Sequence, residues 1–143
     1  MYAALANPFA RSAGYAAAYR RVGVETGVAG ASPHQLVAML FDGYMDALAR
    51  ARGALRQNDL EGKGRAVGQA ARIVEEGLKA GLDLQAGGKL ASDLSALYAY
   101  VTMRLTRANL HNDDEALAEC QRLIEPIRDA WAAIESQVQG RGR

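Results

Sequence analysis

Ser32-Pro33-His34-Gln35-Leu36-Val37-Ala38-Met39-Leu40-Phe41-Asp42-Gly43 decides the fold, because it opens an α-helix and fills it with large apolar groups. Ser32 suits the N-cap, and Pro33 suits the first helical position, where the N–H it lacks has no partner to lose. Gln35, three residues after the serine, completes a capping box. Leu36, Val37, Met39, Leu40 and Phe41 then occupy nearly the whole circumference, whereas a surface helix confines its apolar residues to one stripe. A second apolar face calls for a second partner. The expected division turns Leu36 and Leu40 mainly inward and leaves Val37, Met39, Phe41 and Tyr44 nearer a binding groove.

Outward from this block the helical period continues. The first helix is expected over 33–57, with Leu36, Leu40, Tyr44, Leu48, Ala51 and Leu55 at helical spacing, and Asn58-Asp59 ends it and caps the next. The second, over 60–82, contains Gly62, Gly64, Gly68, Gly77 and Gly81. At about 1 kcal/mol per interior glycine relative to alanine, it must be held by packing. Two readings of those glycines stay open: close approach between helices, or a groove that a partner fills. Gly87-Gly88 breaks the chain before a third helix over 89–110, in which Leu90, Leu94, Leu97, Tyr98, Val101, Leu105 and Ala108 keep the period. The fourth helix has the cleanest seam, since Leu117, Cys120, Ile124, Ile127, Trp131, Ile134 and Val138 step alternately by three and four residues. Asn112 and Glu115 are the expected cap at its start.

Four amphipathic helices joined by short loops hide their stripes by packing side by side, which makes the fold all-α, an antiparallel up-down-up-down four-helix bundle. Residues 1–30, rich in Ala, Gly and small polar residues, form the expected mobile arm; 16–21 can make a short helix in it, and Tyr19, Val22 and Val24 are its grouped apolar anchors. The bundle domain is expected over 31–139 and a disordered tail over 140–143.

With 143 residues the chain holds one domain with a single core. Its 17 basic and 16 acidic side chains leave a net charge of +1, which offers no footprint for nucleic acid or an anionic membrane. Cys120 is the single cysteine, so no internal disulfide framework or cysteine metal cluster exists. With no apolar signal-peptide core and no run long enough for membrane insertion, the chain is expected in the cytoplasm.

Catalytic constellations are missing. His34 and His111 both fall near helix ends, where capping explains them. No glutamate is followed by a histidine at the spacing of a di-iron bundle, and no phosphate-binding glycine loop follows a strand. Cys120 and Trp131 occupy core positions of a seam. The chain is therefore expected to be no enzyme, with no catalytic residue, no cofactor and no metal site. What remains is apolar surface on the first helix and, through Leu97, Tyr98, Tyr100, Val101, Met103 and Leu105, on the third. Such an excess fits an amphipathic segment of a protein partner lying in a groove. Self-association of a structural helical adaptor through the same patch, as a homodimer, is the rival.

The residues also resemble a known family over 15–134, the FliS family of flagellar secretion chaperones specific for flagellin. Tyr19-Arg20-Arg21-Val22-Gly23-Val24-Glu25 and Ala31-Ser32-Pro33-His34-Gln35-Leu36 carry the resemblance, with Met39-Leu40-Phe41-Asp42-Gly43 and Lys63-Gly64. It continues through Gly77-Leu78-Lys79-Ala80-Gly81-Leu82-Asp83, Leu97-Tyr98-Ala99-Tyr100, Ala108-Asn109-Leu110, Asn112-Asp113 and Asp129-Ala130-Trp131. The resemblance implies a cytoplasmic bundle that binds the disordered C-terminal segment of newly made flagellin, keeps it from polymerising and helps deliver it to the flagellar type III export apparatus. It also implies that the arm lies near the binding cleft, with Tyr19 at the position of the family's arm tyrosine. The expected flagellin groove and lid comprise Tyr19, Val22, Val24, Val37, Met39, Phe41, Tyr44, Lys63, Tyr98, Tyr100, Val101 and Leu105. Helix glycines and Ala99, where the family often carries an acidic residue, are departures from its pattern.

Overall fold

Ser32 and Gln35 make both halves of the expected capping box: the Gln35 N–H donates to Ser32 Oγ at 3.1 Å and the Ser32 N–H to Gln35 Oε1 at 2.9 Å. A computed structural model describes residues 30–141, with side chains as far as Ile134. From that cap runs α1 (Pro33–Arg56), followed by α2 (Leu60–Arg72), a π-helical segment (Ile73–Lys79), α3 (Gly88–His111) and α4 (Asp114–Arg141), with no strand among the described residues. Tyr19, Val22 and Val24 lie outside the described residues, as do Gly142 and Arg143. Helix α4 takes in Gly140 and Arg141, which the sequence reading assigns to a tail.

The loops are made by the residue types that turns need. Asn58 adopts φ +59°, and Asp59 then caps α2 by accepting from the Gly62 N–H at 2.9 Å. At the same end of the bundle Asn112 is the left-handed C-cap of α3 at φ +52°. Asp113, not Asn112, caps α4, accepting from the Ala116 N–H at 3.3 Å. The expected cap is thus displaced by one residue, because Asn112 is already used in stopping α3.

Helix α1 packs against α2, the π segment and α4, and α3 packs against the same three, so α1 and α3 occupy opposite corners. Cross-links give the direction. His34 near the start of α1 meets Trp131 late in α4, Arg52 near the end of α1 meets Asp114 at the start of α4, and Lys63 early in α2 meets Asn109 late in α3. Neighbours are antiparallel, as the short loops require.

The sequence carries the second helix onward at constant period, but from Ile73 the backbone widens into a π turn. Ile73, Val74, Gly77 and Leu78 are all buried there. A Cβ on Gly77 would lie 3.1 Å from both methyl carbons of Leu40 in α1. At this position glycine serves close approach.

The expected division of α1 is corrected. Leu36, Val37, Leu40, Phe41 and Tyr44 are all buried in the core, and Met39 is half-buried against it. At about 100° per residue, the buried positions of α1 fall within one arc of roughly 140°. What reads as two faces is a single broad stripe, met on one side by α2 with the π segment and on the other by α4. The second partner of the helix is inside the molecule.

Candidate functional site

Helix α3 differs from α1 in carrying two stripes. Tyr98, Val101, Leu105 and Ala108 step by three, four and three residues and are buried. Tyr100, Met103, Arg107 and Leu110 repeat the same steps two residues later, which turns them by about 200°, and they are exposed. Tyr100 is 41 % exposed, Met103 43 % and Leu110 74 %. The excess apolar surface expected on this helix is therefore present, on the face opposite the core.

Polar cross-links fix the edge of that face. Tyr100 Oη donates to Glu119 Oε2 at 2.7 Å and Arg104 Nε to Glu119 Oε1 at 2.7 Å, so one carboxylate of α4 holds two side chains of α3. The Tyr100 hydroxyl and the Arg104 guanidinium keep the Glu119 carboxyl below its ordinary range, and the same bonds raise the Tyr100 phenol and the Arg104 guanidinium. Below the neighbouring loop, Arg52 binds Asp114 through Nε at 2.8 Å and Nη2 at 3.0 Å and donates to Gln121 at 2.6 Å. That pairing lowers the Asp114 carboxyl. The Glu119 bonds orient α3, which presents the stripe, and the Arg52 bonds tie α4 to α1.

Of the described residues expected in the groove, Tyr100 is exposed and Met39 half-exposed. Val37, Phe41, Tyr44, Tyr98, Val101 and Leu105 are core residues instead, because each lies on the inward arc of its helix. Lys63 is corrected too. It is 5 % exposed, and its Nζ donates to the Asn109 backbone oxygen at 2.7 Å and to Asn109 Oδ1 at 2.8 Å. A cation there neutralises the C-terminal end of α3, so Lys63 ties two helices together.

Two features escape the sequence. His34 stacks on Trp131 with ring centroids 4.1 Å apart and 10° between planes. The pair is closed by reciprocal bonds, His34 Nε2 to the Trp131 carbonyl and Trp131 Nε1 to the His34 carbonyl, each 3.0 Å. Leu110 is the other, because a residue in the last turn of a helix reads as an end rather than as part of a face. Its step of three and four from Met103 through Arg107 is the signal that could have found it.

Among the described residues no group of three or more His, Cys, Asp or Glu side chains could hold a metal, and no helix is long and apolar enough to cross a membrane. Burial and the nearby Glu119 charge push the Cys120 thiol up to about 12, which leaves it protonated and poorly nucleophilic.

The model of the family described as Flagellar protein FliS matches residues 15–138. The chain is 50 % identical over 117 residues to the flagellar secretion chaperone FliS of Salmonella typhimurium, covering 82 % of this chain and 87 % of that one. It is 45 % identical over 114 residues to the protein of the same name in Escherichia coli, covering 80 % and 84 %. To that of Bacillus subtilis it is 31 % identical over 139 residues, covering 96 % and 94 %.

Proposed function

Since the chain belongs to the FliS family of flagellar secretion chaperones, we propose that it binds the C-terminal segment of newly made flagellin in the cytoplasm. Binding keeps flagellin from polymerising and assists its delivery to the flagellar export apparatus. The observation that supports this reading is the outward stripe of α3, with Tyr100, Met103 and Leu110 exposed on a helix whose other face already fills the core. A flagellin tail that folds as it binds must offset an ordering cost of about 2–5 kcal/mol or more by covering a large apolar area. The arm residues Tyr19, Val22 and Val24, which lie outside the described residues, enter this reading as a lid to be tested: limited proteolysis should cut the arm faster once a flagellin peptide is added.

Titration calorimetry with a flagellin C-terminal fragment tests the central claim. We expect saturable binding with a strongly negative heat-capacity change, weakened by Tyr100→Ala or Met103→Ser, and no binding of an N-terminal fragment. A heat-capacity change near zero, or equal binding by both fragments, would sink it. A dimer that the C-terminal fragment does not dissociate would assign the stripe to a second copy of the chain.

A further inference from the structure

Gly53 in α1 and Gly68 in α2 have nothing within 4 Å of where a Cβ would lie. No internal contact asks for glycine at either position, in contrast to Gly77, which meets Leu40. Glycine in a helix interior weakens the helix, and here the fold gains nothing for it. What these glycines leave open is a trough of about 980 Å³ between α1 and α2, lined by Gly53, Gly64 and Gly68 and by Arg50, Arg65 and Arg72.

The trough is locally positive on a chain of net charge +1. One carboxylate lines it, Asp59, which is bound to the Gly62 N–H at the start of α2. Arg50 donates to Gln69 Oε1 at 2.8 Å and to the Asp46 carbonyl at 3.4 Å, both neutral acceptors. Arg65 pairs with Glu61 one turn away on open surface, and Arg72 makes no ion pair among the described residues.

We propose that this trough is a second docking surface, distinct from the α3 stripe, and that it takes an acidic α-helical segment of a partner protein. Arg65 and Arg72 are seven residues apart, about 10 Å at ~1.5 Å per residue, which matches carboxylates two turns apart on a ligand helix. Arg50 reaches the same space from α1. Guanidinium forks bind carboxylates in two-point geometry, and the missing Cβ groups at Gly53 and Gly68 let a ligand backbone approach. Three arginines neutralise too few phosphates for firm nucleic-acid binding, so the partner is protein.

The test uses the full chain and three fluorescent probes: an alanine-rich helical peptide with glutamates two turns apart, its lysine counterpart, and a single-stranded oligonucleotide of equal charge. The glutamate peptide should bind in anisotropy titrations, more weakly as salt rises, and should shift the Gly53 and Gly68 amides in nitrogen–proton correlation spectra. Gly68→Leu, which fills the trough, and the pair Arg50→Ala with Arg72→Ala should each weaken it about tenfold, with thermal melting showing both variants folded. Tyr100→Ala on α3 should leave this binding unchanged, so failure here is separable from failure of the flagellin reading. Absent binding, equal binding of the lysine peptide, insensitivity to both variants, shifts on another face or preference for the oligonucleotide would each overturn the proposal.

Discussion

The seam between α1 and α4 is cross-linked along its length, whereas the seam between α2 with its π segment and α3 is cross-linked near one end. On the first, His34 and Trp131 clasp one end, the Tyr44 hydroxyl donates to the Cys120 carbonyl at 2.8 Å in the middle, and Arg52 binds Asp114 and Gln121 at the other. On the second, Lys63 binds Asn109. Asn109, Thr102 and Tyr98 share a face of α3 by their spacing of seven and four, and both the Tyr98 and Thr102 hydroxyls are buried without a hydrogen-bond partner among the described residues. Both seams bury apolar groups, so apolar burial alone does not set how firmly two helices are joined. The difference lies in whether buried polar groups are satisfied, and it implies uneven local stability, with the π segment opening before α1.

Trp131→Ala should break the firm seam most. Removing a large side chain that is only 5 % exposed, with its stacking on His34, should cost about 3–5 kcal/mol in chemical denaturation. Cys120 supplies a local readout: its protonated, buried thiol should resist labelling at about pH 8 until the seam opens, and Trp131→Ala should speed labelling by roughly a hundredfold or more. Unchanged labelling in that variant would mean that the clasp does not hold this seam. Gly77→Val instead strikes the contact of the π segment with α1, forcing methyl groups against Leu40 at a cost of about 1–3 kcal/mol while leaving Cys120 labelling as it was. Gly68→Ala should have the opposite sign, stabilising by about 0.5–1 kcal/mol because nothing stands where its methyl would go. If both glycine changes destabilise alike in thermal melts, the distinction between a packing glycine and a surface glycine fails.

The sequence carries the helix count, the Ser32 cap, the α4 seam and the apolar excess of α3 at Tyr100 and Met103, because each is encoded in residues a few positions apart; it does not separate that excess from the buried Tyr98, Val101 and Leu105. The His34–Trp131 clasp joins residues 97 apart and leaves no periodic signal. Lys63 is legible as a charge, but its burial depends on the end of α3 arriving beside it. The π turn is hidden for a related reason: Ile73, Val74 and Leu78 suit an ordinary helix equally well, and the segment's neighbours, α1 and α3, are distant in sequence. Helix α1 misleads in the other direction. Val37 and Phe41 read as surplus when the helix is taken alone, yet with neighbours on two sides a broad arc is what one core needs.

The smallest effects discriminate the seams most directly. Tyr44 and Tyr98 are both fully buried, and burial raises both phenols, so their surroundings are similarly apolar. They differ in the hydroxyl, since Tyr44 donates to the Cys120 carbonyl and Tyr98 donates to nothing among the described residues. Tyr44→Phe removes a made hydrogen bond and should cost about 0.5–1.5 kcal/mol. Tyr98→Phe removes only an unsatisfied polar atom, so stability should stay within roughly 0.5 kcal/mol of the parent or rise. Paired urea denaturation curves measure the difference. A loss on Tyr98→Phe equal to that on Tyr44→Phe would mean that the hydroxyl of Tyr98 is satisfied in solution, and that the α2–α3 seam is as well bonded as the seam it is contrasted with.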